Sequence, residues 1–207
     1  MELSENRSKF IFDGNDVCLD FINTDIVDRG KRVDLLEDYG DVVSWLTEAG
    51  CIDPGTAERM LKLGDNESLK MLKKVREFRK KLMDMIQALS QGKPLRRSHL
   101  EPMNEILKED TTYSNLILIN GNARQITHSS GSMLDPGLPI AHAASELLTK
   151  KDLSLVRKCS NPDCVLFFYD ESKNHGRRWC SMDRCGNRMK AALHYRKKKG
   201  GISGVSV

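Results

Sequence analysis

The chain has 207 residues, of which 39% are hydrophobic and 30% are charged, and its formal net charge is +4 at pH 7. This composition is typical of a soluble globular protein, either one large domain or one ordinary domain with a small appendage. No apolar run approaches the roughly 20 residues that span a bilayer, and the polar start of the chain is unlike a secretory signal, so we expect a cytoplasmic protein without a membrane segment.

The first part of the chain predicts mainly helices. Asp13-Gly14 is typical of a turn, and Cys18, Phe21 and Ile22 after it lie on one face of a short helix. Residues 25–34 are polar and contain a glycine, so we expect a loop there. Apolar periodicity and helix-breaking residues predict further helices over 38–49, 54–64, 68–90, 98–107 and 139–150.

The longest predicted helix, 68–90, has an apolar stripe on one face and a cluster of lysines and arginines mostly on the opposite side. Ser68 is a suitable N-terminal cap for this helix. We interpret the basic cluster as a solvated face rather than as a nucleic-acid contact. The cluster comprises Lys73, Lys74, Arg76, Arg79, Lys80 and Lys81.

The sequence between residues 113 and 128 changes from helical periodicity to a strand-like pattern. Leu116 to Ile119 favour a strand, Asn120-Gly121-Asn122 is typical of a tight turn, and Arg124 to His128 return, which predicts a β-hairpin. The stretch 129–139 contains Gly and Pro and is predicted as a loop. Residues 1–150 therefore predict a mainly helical domain with one β-hairpin, and the whole chain is predicted as an α+β protein.

Two cysteine pairs with matched spacing lie near the C-terminus. Cys159 and Cys164 have four residues between them, as do Cys180 and Cys185, and fifteen residues separate the pairs. Four thiolates around one tetrahedral ion form a closed structural zinc site, whereas a catalytic zinc keeps one position open. The repeated pair therefore predicts a structural Zn²⁺ site, with ligand spacing at the wide end of the usual range.

Other interpretations of these cysteines are weaker. Disulfides need an oxidising compartment, which the start of the chain does not indicate. Unrelated buried cysteines would not fall into matched pairs. Either His175 or His194 lies near enough in the sequence to replace one sulfur. The remaining cysteines, Cys18 and Cys51, are interpreted as small buried hydrophobic residues.

Residues 151–207 form the predicted zinc module, with two cysteine knuckles, a short hairpin and a helix. Two short strands are predicted between the knuckles, one within Val165 to Asp170 and one that reaches Trp179, joined by a polar turn. Residues 186–199 are predicted as a helix whose N-terminus favours the last thiolate. A module of this size depends on its metal for folding free energy.

The charges are divided unevenly between the two parts of the chain. Residues 151–207 contain 13 Lys and Arg against 5 Asp and Glu, a net charge of +8, whereas residues 1–150 have a net charge of −4. Four thiolates on one Zn²⁺ would reduce the charge of the module to about +6. A basic module on an acidic body is typical of polyanion binding, and nucleic acid is the usual polyanion.

Several cations of the module are candidate contacts with nucleic acid. Lys190, His194 and Lys197 share one face of the predicted C-terminal helix, which could lie along phosphates or enter a major groove. The alternative is a basic tail that only keeps the protein in solution. The full candidate set is Arg177, Arg178, Arg188, Lys190, His194, Arg196, Lys197 and Lys198.

Two stretches of the sequence resemble a known family. The matched cysteine pairs, with Arg177-Arg178-Trp179-Cys180 and Cys185-Gly186-Asn187-Arg188, resemble the CGNR zinc finger. Upstream, Leu19-Asp20-Phe21-Ile22-Asn23-Thr24 resembles the Leu-Asp-Phe-Val-Asn-Thr signature of the ABATE domain, which usually precedes that finger. Together with the junction that leads into the first knuckle, the resemblance covers nearly the whole chain.

The resemblance implies a bacterial transcription regulator, in a family sometimes described as RNA-binding. It implies that the finger binds nucleic acid and that the N-terminal domain senses a small ligand. Asp20 and Asn23 could line that ligand's pocket or could cap and join helices. Asn187 could contact nucleic acid or hydrogen-bond the knuckle backbone. The implied zinc ligands are Cys159, Cys164, Cys180 and Cys185.

We therefore expect a transcription regulator that binds DNA through its zinc finger, with an RNA-binding protein as the alternative. A homodimer would help specificity, because one helix contacts few bases. The sequence has no nucleophile–base pair, no phosphate-binding loop and no cluster of histidines and carboxylates with ligand spacing. We therefore expect no enzymatic activity.

Overall fold

The computed structural model of the protein describes residues 8–110, 112–119, 122–129 and 134–200, with backbone only for 112–119, 122–129, 196, 197, 199 and 200. Its helices are α1 Val17–Ile22, α2 Tyr39–Glu48, α3 Pro54–Met60, α4 Asp65–Ser90, α5 Arg97–Leu107, α6 Gly137–Lys150 and α7 Asn187–Gly200. Its strands are β1 Asp25–Asp28, β2 Lys31–Asp34, β3 Thr112–Ile119, β4 Asn122–Ser129, β5 Val156–Lys158 and β6 Phe167–Tyr169.

The strands form three separate antiparallel hairpins, β1–β2, β3–β4 and β5–β6. The mainly helical N-terminal region with a hairpin, followed by a small region with two strands and a helix, confirms the predicted α+β class. The predicted loop 129–139 lies partly outside the described residues, as do the side chains of β3 and β4. Within the described ranges, no helix combines the length and the apolar character needed to cross a bilayer.

Helix α4 is the central element of the N-terminal region and contacts α1, α2, α5, α6 and β5. Its buried residues include Leu72, Val75, Leu82 and Ile86, which recur at the helical period and pack against the other helices. The predicted cap at Ser68 is wrong, because the helix begins one turn earlier, after Gly64, with Asp65 and Glu67 in its first turn. These carboxylates favour the positive end of the helix dipole.

The other helix starts follow from local sequence chemistry. The Asp16 side chain accepts from the backbone N–H of Cys18, at 2.9 Å, at the start of α1. At the start of α2, Asp38 and Asp41 each accept from the other's backbone N–H, which forms a capping box. Asp53 caps α3 directly before Pro54 at its first position. Each start is thus fixed by a short-range bond.

The predicted loop over residues 25–34 is instead the hairpin β1–β2. Its tight turn is Arg29-Gly30, and both residues have positive φ, 48° and 79°. A two-residue turn with both φ values positive matches the twist of antiparallel strands, although Asn-Gly is the usual pair there. The sequence does not predict this hairpin, because its strands are short and rich in charge and its turn contains an arginine instead of the usual asparagine.

The prediction of a solvated basic face on α4 is wrong for two of its arginines. The buried Arg79 guanidinium donates to Thr24 Oγ1 at 2.7 Å and to the two carboxylate oxygens of Asp34, at the end of β2, at 2.7 and 2.6 Å. Arg76 donates to the carbonyl of Leu36 at 2.6 Å. Burial raises the pKa of Asp34, but the hydrogen bonds and charge of Arg79 lower it below its ordinary value. These bonds fix the hairpin to α4.

Strand β6 lies between two apolar clusters. Phe167 belongs to the large helical core, whereas its neighbour Phe168 belongs to a second cluster that contains three of the four C-terminal cysteines. Successive side chains of a strand point to opposite faces, so one short strand serves both cores. The partner of β6 is β5, with Arg157 opposite Phe168, so the predicted pairing with a strand at Trp179 is wrong.

Asp34 and Asp25 are cross-strand partners and allow a matched test of the Arg79 interaction. Asp34→Ala should lower the free energy of unfolding by about 3–5 kcal/mol, because it leaves a buried guanidinium without its carboxylate. Asp25→Ala removes only the carboxylate of the exposed Arg32 and should cost about 1 kcal/mol or less. Urea unfolding of both variants measures the difference, and equal losses would contradict the assignment.

Candidate metal centre and nucleic-acid interface

The four cysteines of the matched pairs lie at one point of the structure. Their sulfur atoms are all within 4.8 Å of one another, and Cys164 Sγ lies 3.9 Å from Cys180 Sγ. A tetrahedral zinc ion with bonds of about 2.3 Å to sulfur separates its ligands by about 3.8 Å. The arrangement of Cys159, Cys164, Cys180 and Cys185 therefore fits one Zn²⁺ ion. It contains no carboxylate and neither of the two candidate histidines.

Backbone hydrogen bonds hold the first pair in position. The N–H of Cys159, directly after β5, donates to the carbonyl of Leu166 at 2.9 Å, and the N–H of Cys164 donates to the carbonyl of Asn161 at 2.9 Å. The first bond extends the β5–β6 ladder, and the second closes a turn within the knuckle. The two cysteines are therefore placed by a strand end and a turn.

The second pair is placed by a helical turn. Cys180 is fully buried, and Cys185 lies in a π-helical turn, Met182–Gly186, that leads directly into α7. The Ser181 side chain caps this turn by accepting from the N–H of Arg184 at 3.2 Å. A Cβ on Gly186 would lie 2.5 Å from Met182 Sδ and 3.2 Å from Trp179 Cδ1, so a larger residue there would force both side chains to move. Any metal bound here fixes the start of α7.

Two N–H groups point at the sulfur atoms. The buried Asn161 donates from Nδ2 to Cys185 Sγ at 3.2 Å, and the backbone N–H of Cys180 donates to Cys159 Sγ at 3.4 Å. Donors of this kind orient thiolate ligands and offset part of their negative charge. A bond to the knuckle backbone, one of the two roles that the sequence left open for Asn187, is made by Asn161, whose Oδ1 accepts from the N–H of Asp163 at 3.2 Å, whereas Asn187 is exposed.

Three of the clustered thiols, those of Cys159, Cys164 and Cys180, perturb one another's pKa through shared hydrogen bonds. Hydrogen bonds from Cys164 and Cys180 lower the pKa of Cys159, while the hydrogen bond with Cys159 raises the pKa of both neighbours. Thiolates packed this closely repel one another unless a cation lies between them. A divalent ion removes this conflict, because it coordinates all four thiolates at once.

Arg177 lies within the module, where its contacts are structural. Its guanidinium donates to the backbone carbonyls of Trp179, at 3.0 Å, of Asp13, at 2.7 Å, and of Cys180. It also lies 4.3 Å from the ring centroid of Phe168. These bonds occupy the guanidinium, so they do not favour the predicted role of Arg177 as a nucleic-acid contact.

Asp20 and Asn23 connect the N-terminal region to the zinc module. Asn23 Nδ2 donates to the carbonyl of Phe167 at 2.8 Å, and its Oδ1 accepts from the N–H of the same residue at 2.9 Å. Asp20 accepts from the N–H of Gly14 at 2.7 Å, and the carbonyl of Gly14 accepts from the N–H of Tyr169 at 2.8 Å. The outer edge of β6 is thereby paired, in the manner of a neighbouring strand.

These contacts agree with the joining role that the sequence allowed for Asp20 and Asn23, and their role in ligand binding stays a prediction. A Cβ on Gly14 would lie 2.7 Å from Asp20 Oδ1 and 3.0 Å from Leu19 Cβ, so glycine is required where the chain passes so close. The sequence indicates the turn at Gly14 but does not indicate its contact with β6.

The other predicted nucleic-acid residues lie on the surface. Arg188, Lys190, His194 and Lys198 are exposed on α7, and the charged groups of Arg188, Lys190 and Lys198 have no partner among the described residues. Arg178 is exposed, and its guanidinium carbon lies 5.1 Å from the ring centroid of Trp179. The side chains of Arg196 and Lys197 lie outside the described residues.

Comparison with family models agrees with this geometry. The model of the CGNR zinc finger matches residues 156–198. The ABATE model, whose description reads "Putative stress-induced transcription regulator", matches residues 15–151, which is more than half of the chain. The chain belongs to the ABATE family. Among curated proteins, none matches the sequence.

The CGNR finger of this ABATE protein carries a structural zinc ion, and the four clustered cysteines are the residues that would hold it. All four ligand positions of a tetrahedral ion are then occupied by protein sulfur, which leaves no open position for a substrate. The metal therefore supplies folding free energy and fixes the geometry of the finger.

Asn161→Ala tests the hydrogen bond to Cys185 Sγ. We expect zinc affinity to fall about 10- to 100-fold, because the variant loses a buried donor to a ligand. Competition with a chromophoric chelator measures the affinity. Asn187→Ala is the matched control, since this exposed residue of the same motif makes no bond to sulfur. Equal zinc affinity of the two variants would show that the bond does not support the metal.

The raised pKa of Asp20 leads us to expect that the stability of the protein depends on pH. Burial raises the pKa of this carboxyl to about 7, and the N–H of Gly14 only partly opposes this effect. Because the ordinary pKa of an unfolded Asp is about 3.9, the folded protein binds more protons than the unfolded chain between about pH 4 and 7. Stability attributable to this group is therefore lost as the pH rises through that window.

Asp20→Asn should remove this loss. Relative to the wild type, the variant should gain roughly 1–3 kcal/mol in the free energy of unfolding between pH 5 and pH 8. Urea unfolding with excess zinc at each pH gives the values, and the same change at the exposed Asp65 is the control. A constant difference between the Asp20 variant and the wild type would mean that Asp20 is ionised in the folded protein throughout this range.

Proposed function

We propose that this protein is a transcription regulator that binds DNA through α7 of its zinc finger. The family description and the finger support a regulator that binds nucleic acid. The choice of DNA and the contact residues are our inference, and so is the cytoplasm as the compartment in which such a regulator acts. The observation that carries the proposal is a metal-anchored helix with unpaired cations on its surface.

The metal centre fixes the direction of α7. Cys185 lies three residues before Arg188, so the ion, the π-helical turn and the first turn of the helix form one short rigid connection. Cations on such a helix bind phosphate without first being ordered, which lowers the entropic cost of association. Arg188 and Lys190 lie nearest to this anchor, and we assign them the first contacts.

The shape of α7 suits a DNA groove. Its 14 residues, Asn187–Gly200, rise about 1.5 Å each and therefore span about 21 Å. The major groove of B-DNA, about 12 Å wide, admits an α-helix, and several zinc-dependent modules place a helix in this way. Cations on a helix placed in this way contact the phosphates at the sides of the groove, and we assign Arg188 and Lys190 to such phosphates.

RNA is the second candidate, and one observation favours it. Trp179 is partly exposed and stacks with the Arg178 guanidinium on the surface of the finger. Aromatic and guanidinium planes of this kind stack on unpaired bases, which are the usual targets of RNA-binding modules. A bound DNA probe is titrated with DNA and RNA competitors of matched sequence. If DNA is the target, the DNA competitor displaces the probe at lower concentration than the RNA competitor does, and the reverse order favours RNA.

A small effector bound to the N-terminal region remains part of the proposal. Both polar groups of the Asn23 side chain already bond to β6, so we place no effector contact on this residue. An effector that shifts α1 would act on the finger through those bonds. Dimerisation would add a second recognition helix and is proposed on that ground alone.

Charge reversal on α7 tests the proposal. Arg188→Glu with Lys190→Glu should weaken binding to duplex DNA by at least about tenfold near 0.1 M salt. Loss of two phosphate contacts should also reduce the slope of log K against log salt by about 1.8. Fluorescence anisotropy across a salt series measures both values on zinc-loaded protein.

The matched control is Lys93→Glu with Arg97→Glu, two charge reversals at exposed positions before and at the start of α5. This control changes the net charge without touching the finger and should leave the slope unaltered. Zinc content should stay stoichiometric in all variants. Wild-type affinity and slope in the α7 double variant would refute the proposed interface.

A further inference from the structure

A cleft of about 400 Å³ separates the β1–β2 hairpin from the zinc knuckles. The hairpin belongs to the N-terminal region and the knuckles belong to the finger, so the cleft is formed by both. Its volume is within the range of about 300–1,000 Å³ that is typical of sites for small organic groups. Three of the zinc ligands, Cys164, Cys180 and Cys185, are part of its lining, so the cleft opens directly beside the metal centre. The other residues that decide its chemistry are Ile26, Asp28, Arg29, Asp163, Val165 and Arg188.

The lining combines apolar side chains with charges of both signs. Ile26 and Val165 are partly buried apolar residues from the hairpin and the first knuckle. Arg29 and Arg188 supply cations, and Asp28 and Asp163 supply carboxylates. A third arginine of the lining, Arg184, is already paired with Asp13 at 3.0 Å.

This mixture does not suit a phosphate group alone, because two carboxylates and the net negative charge of the zinc–thiolate centre would oppose its charge. It suits a nucleotide. A base has apolar faces that can pack against Ile26 and Val165, and amino groups on its edge that a carboxylate can accept. The phosphate of the same nucleotide can be bound by a guanidinium.

The conformation of Arg29 is an independent observation. It occupies the left-handed region, with φ of 48°, in a turn position that favours Asn, Asp or Gly. Its side chain is exposed, and it has no hydrogen-bond or ion-pair partner in the part of the chain that the structure describes. The turn is thus occupied by a residue whose guanidinium, at the edge of the cleft, is available to a ligand.

We propose that the cleft receives one unpaired nucleotide, with its base between the hairpin and the first knuckle and its phosphate at Arg29 and Arg188. The inference rests on the proposed function and extends it, because the N-terminal region then contacts the nucleic acid directly. The finger alone would hold only half of this subsite. Binding therefore requires the two regions to be in the arrangement seen here.

A duplex with one bulged nucleotide tests the proposal against an identical, fully paired DNA duplex. The zinc-loaded full chain should bind the bulged duplex about tenfold more tightly, because an unpaired base reaches the cleft without the cost of breaking a pair. Bulged A, C or G should be preferred over T, since T has no amino group for the carboxylates. Anisotropy titrations at fixed salt give the ratios.

Two variants assign the preference to the cleft. Arg29→Asn retains the turn and should not lower the melting temperature, yet it should reduce the preference for the bulge to about twofold or less. Asp163→Ala should also reduce that preference, although loss of a negative charge should raise general affinity for DNA. This opposite effect separates base recognition from simple charge. Arg97→Ala is the control and should keep the wild-type ratio.

The possible failures are distinguishable. If the wild type binds neither duplex, the proposed function fails and the cleft proposal fails with it. If the wild type binds both duplexes equally, the cleft proposal alone is overturned. If the bulge is preferred but Asp163→Ala raises affinity for both duplexes by the same factor, the base lies elsewhere and the cleft proposal is also overturned.

Discussion

The pairing of strand β6 on both edges is the interaction on which the rest of the structure depends. One edge bonds to β5, and the other is closed by the side-chain amide of Asn23 and the backbone carbonyl of Gly14. The alternation of the strand then sends Phe167 into the helical core and Phe168 into the zinc module. A strand of three residues thus joins the large helical core to the small cluster around the cysteines.

The zinc centre depends on this strand and in turn supports α7. Cys159 and Cys164 lie at the ends of the turn between β5 and β6, and Cys185 directly precedes the helix. The metal thereby links the turn between β5 and β6 to the start of the basic helix α7 through its ligands, without a large interface between them. Arg177 adds a second link, since one guanidinium joins the backbone on both sides of the boundary. Signature residues of both regions, Asn23 in the first and Arg177 in the second, therefore hold the N-terminal region and the finger together.

This continuity bears on regulation. Asn23, which directly follows the signature helix α1, bonds to β6, and β6 lies between the two knuckles, the second of which leads into α7. A ligand can change the affinity of the finger for nucleic acid only if the ligand's binding free energy differs between two arrangements of these elements. The bonds between Asn23 and the backbone of β6 are the place where such arrangements would differ, because they join the end of α1 directly to the finger.

The sequence by itself determined the helices, the hairpin over residues 112–129, the basic finger and its four sulfur atoms. These features depend on residues close together along the chain: apolar periodicity, tight-turn residues and ligand spacing act over a few positions. Helix ends such as Asp38 with Asp41 and Asp53 with Pro54 have the same local origin.

Only the tertiary structure decided the partners of polar residues. Asn23 bonds to Phe167, which is 144 positions away, and Arg177 bonds to Asp13, which is 164 positions away. The burial of Arg79, the hairpin at Arg29-Gly30 and the choice of Asn161 over Asn187 as donor to sulfur belong to the same class. A polar side chain accepts many partners with similar energy, so the fold, through burial and proximity, selects which partner it takes.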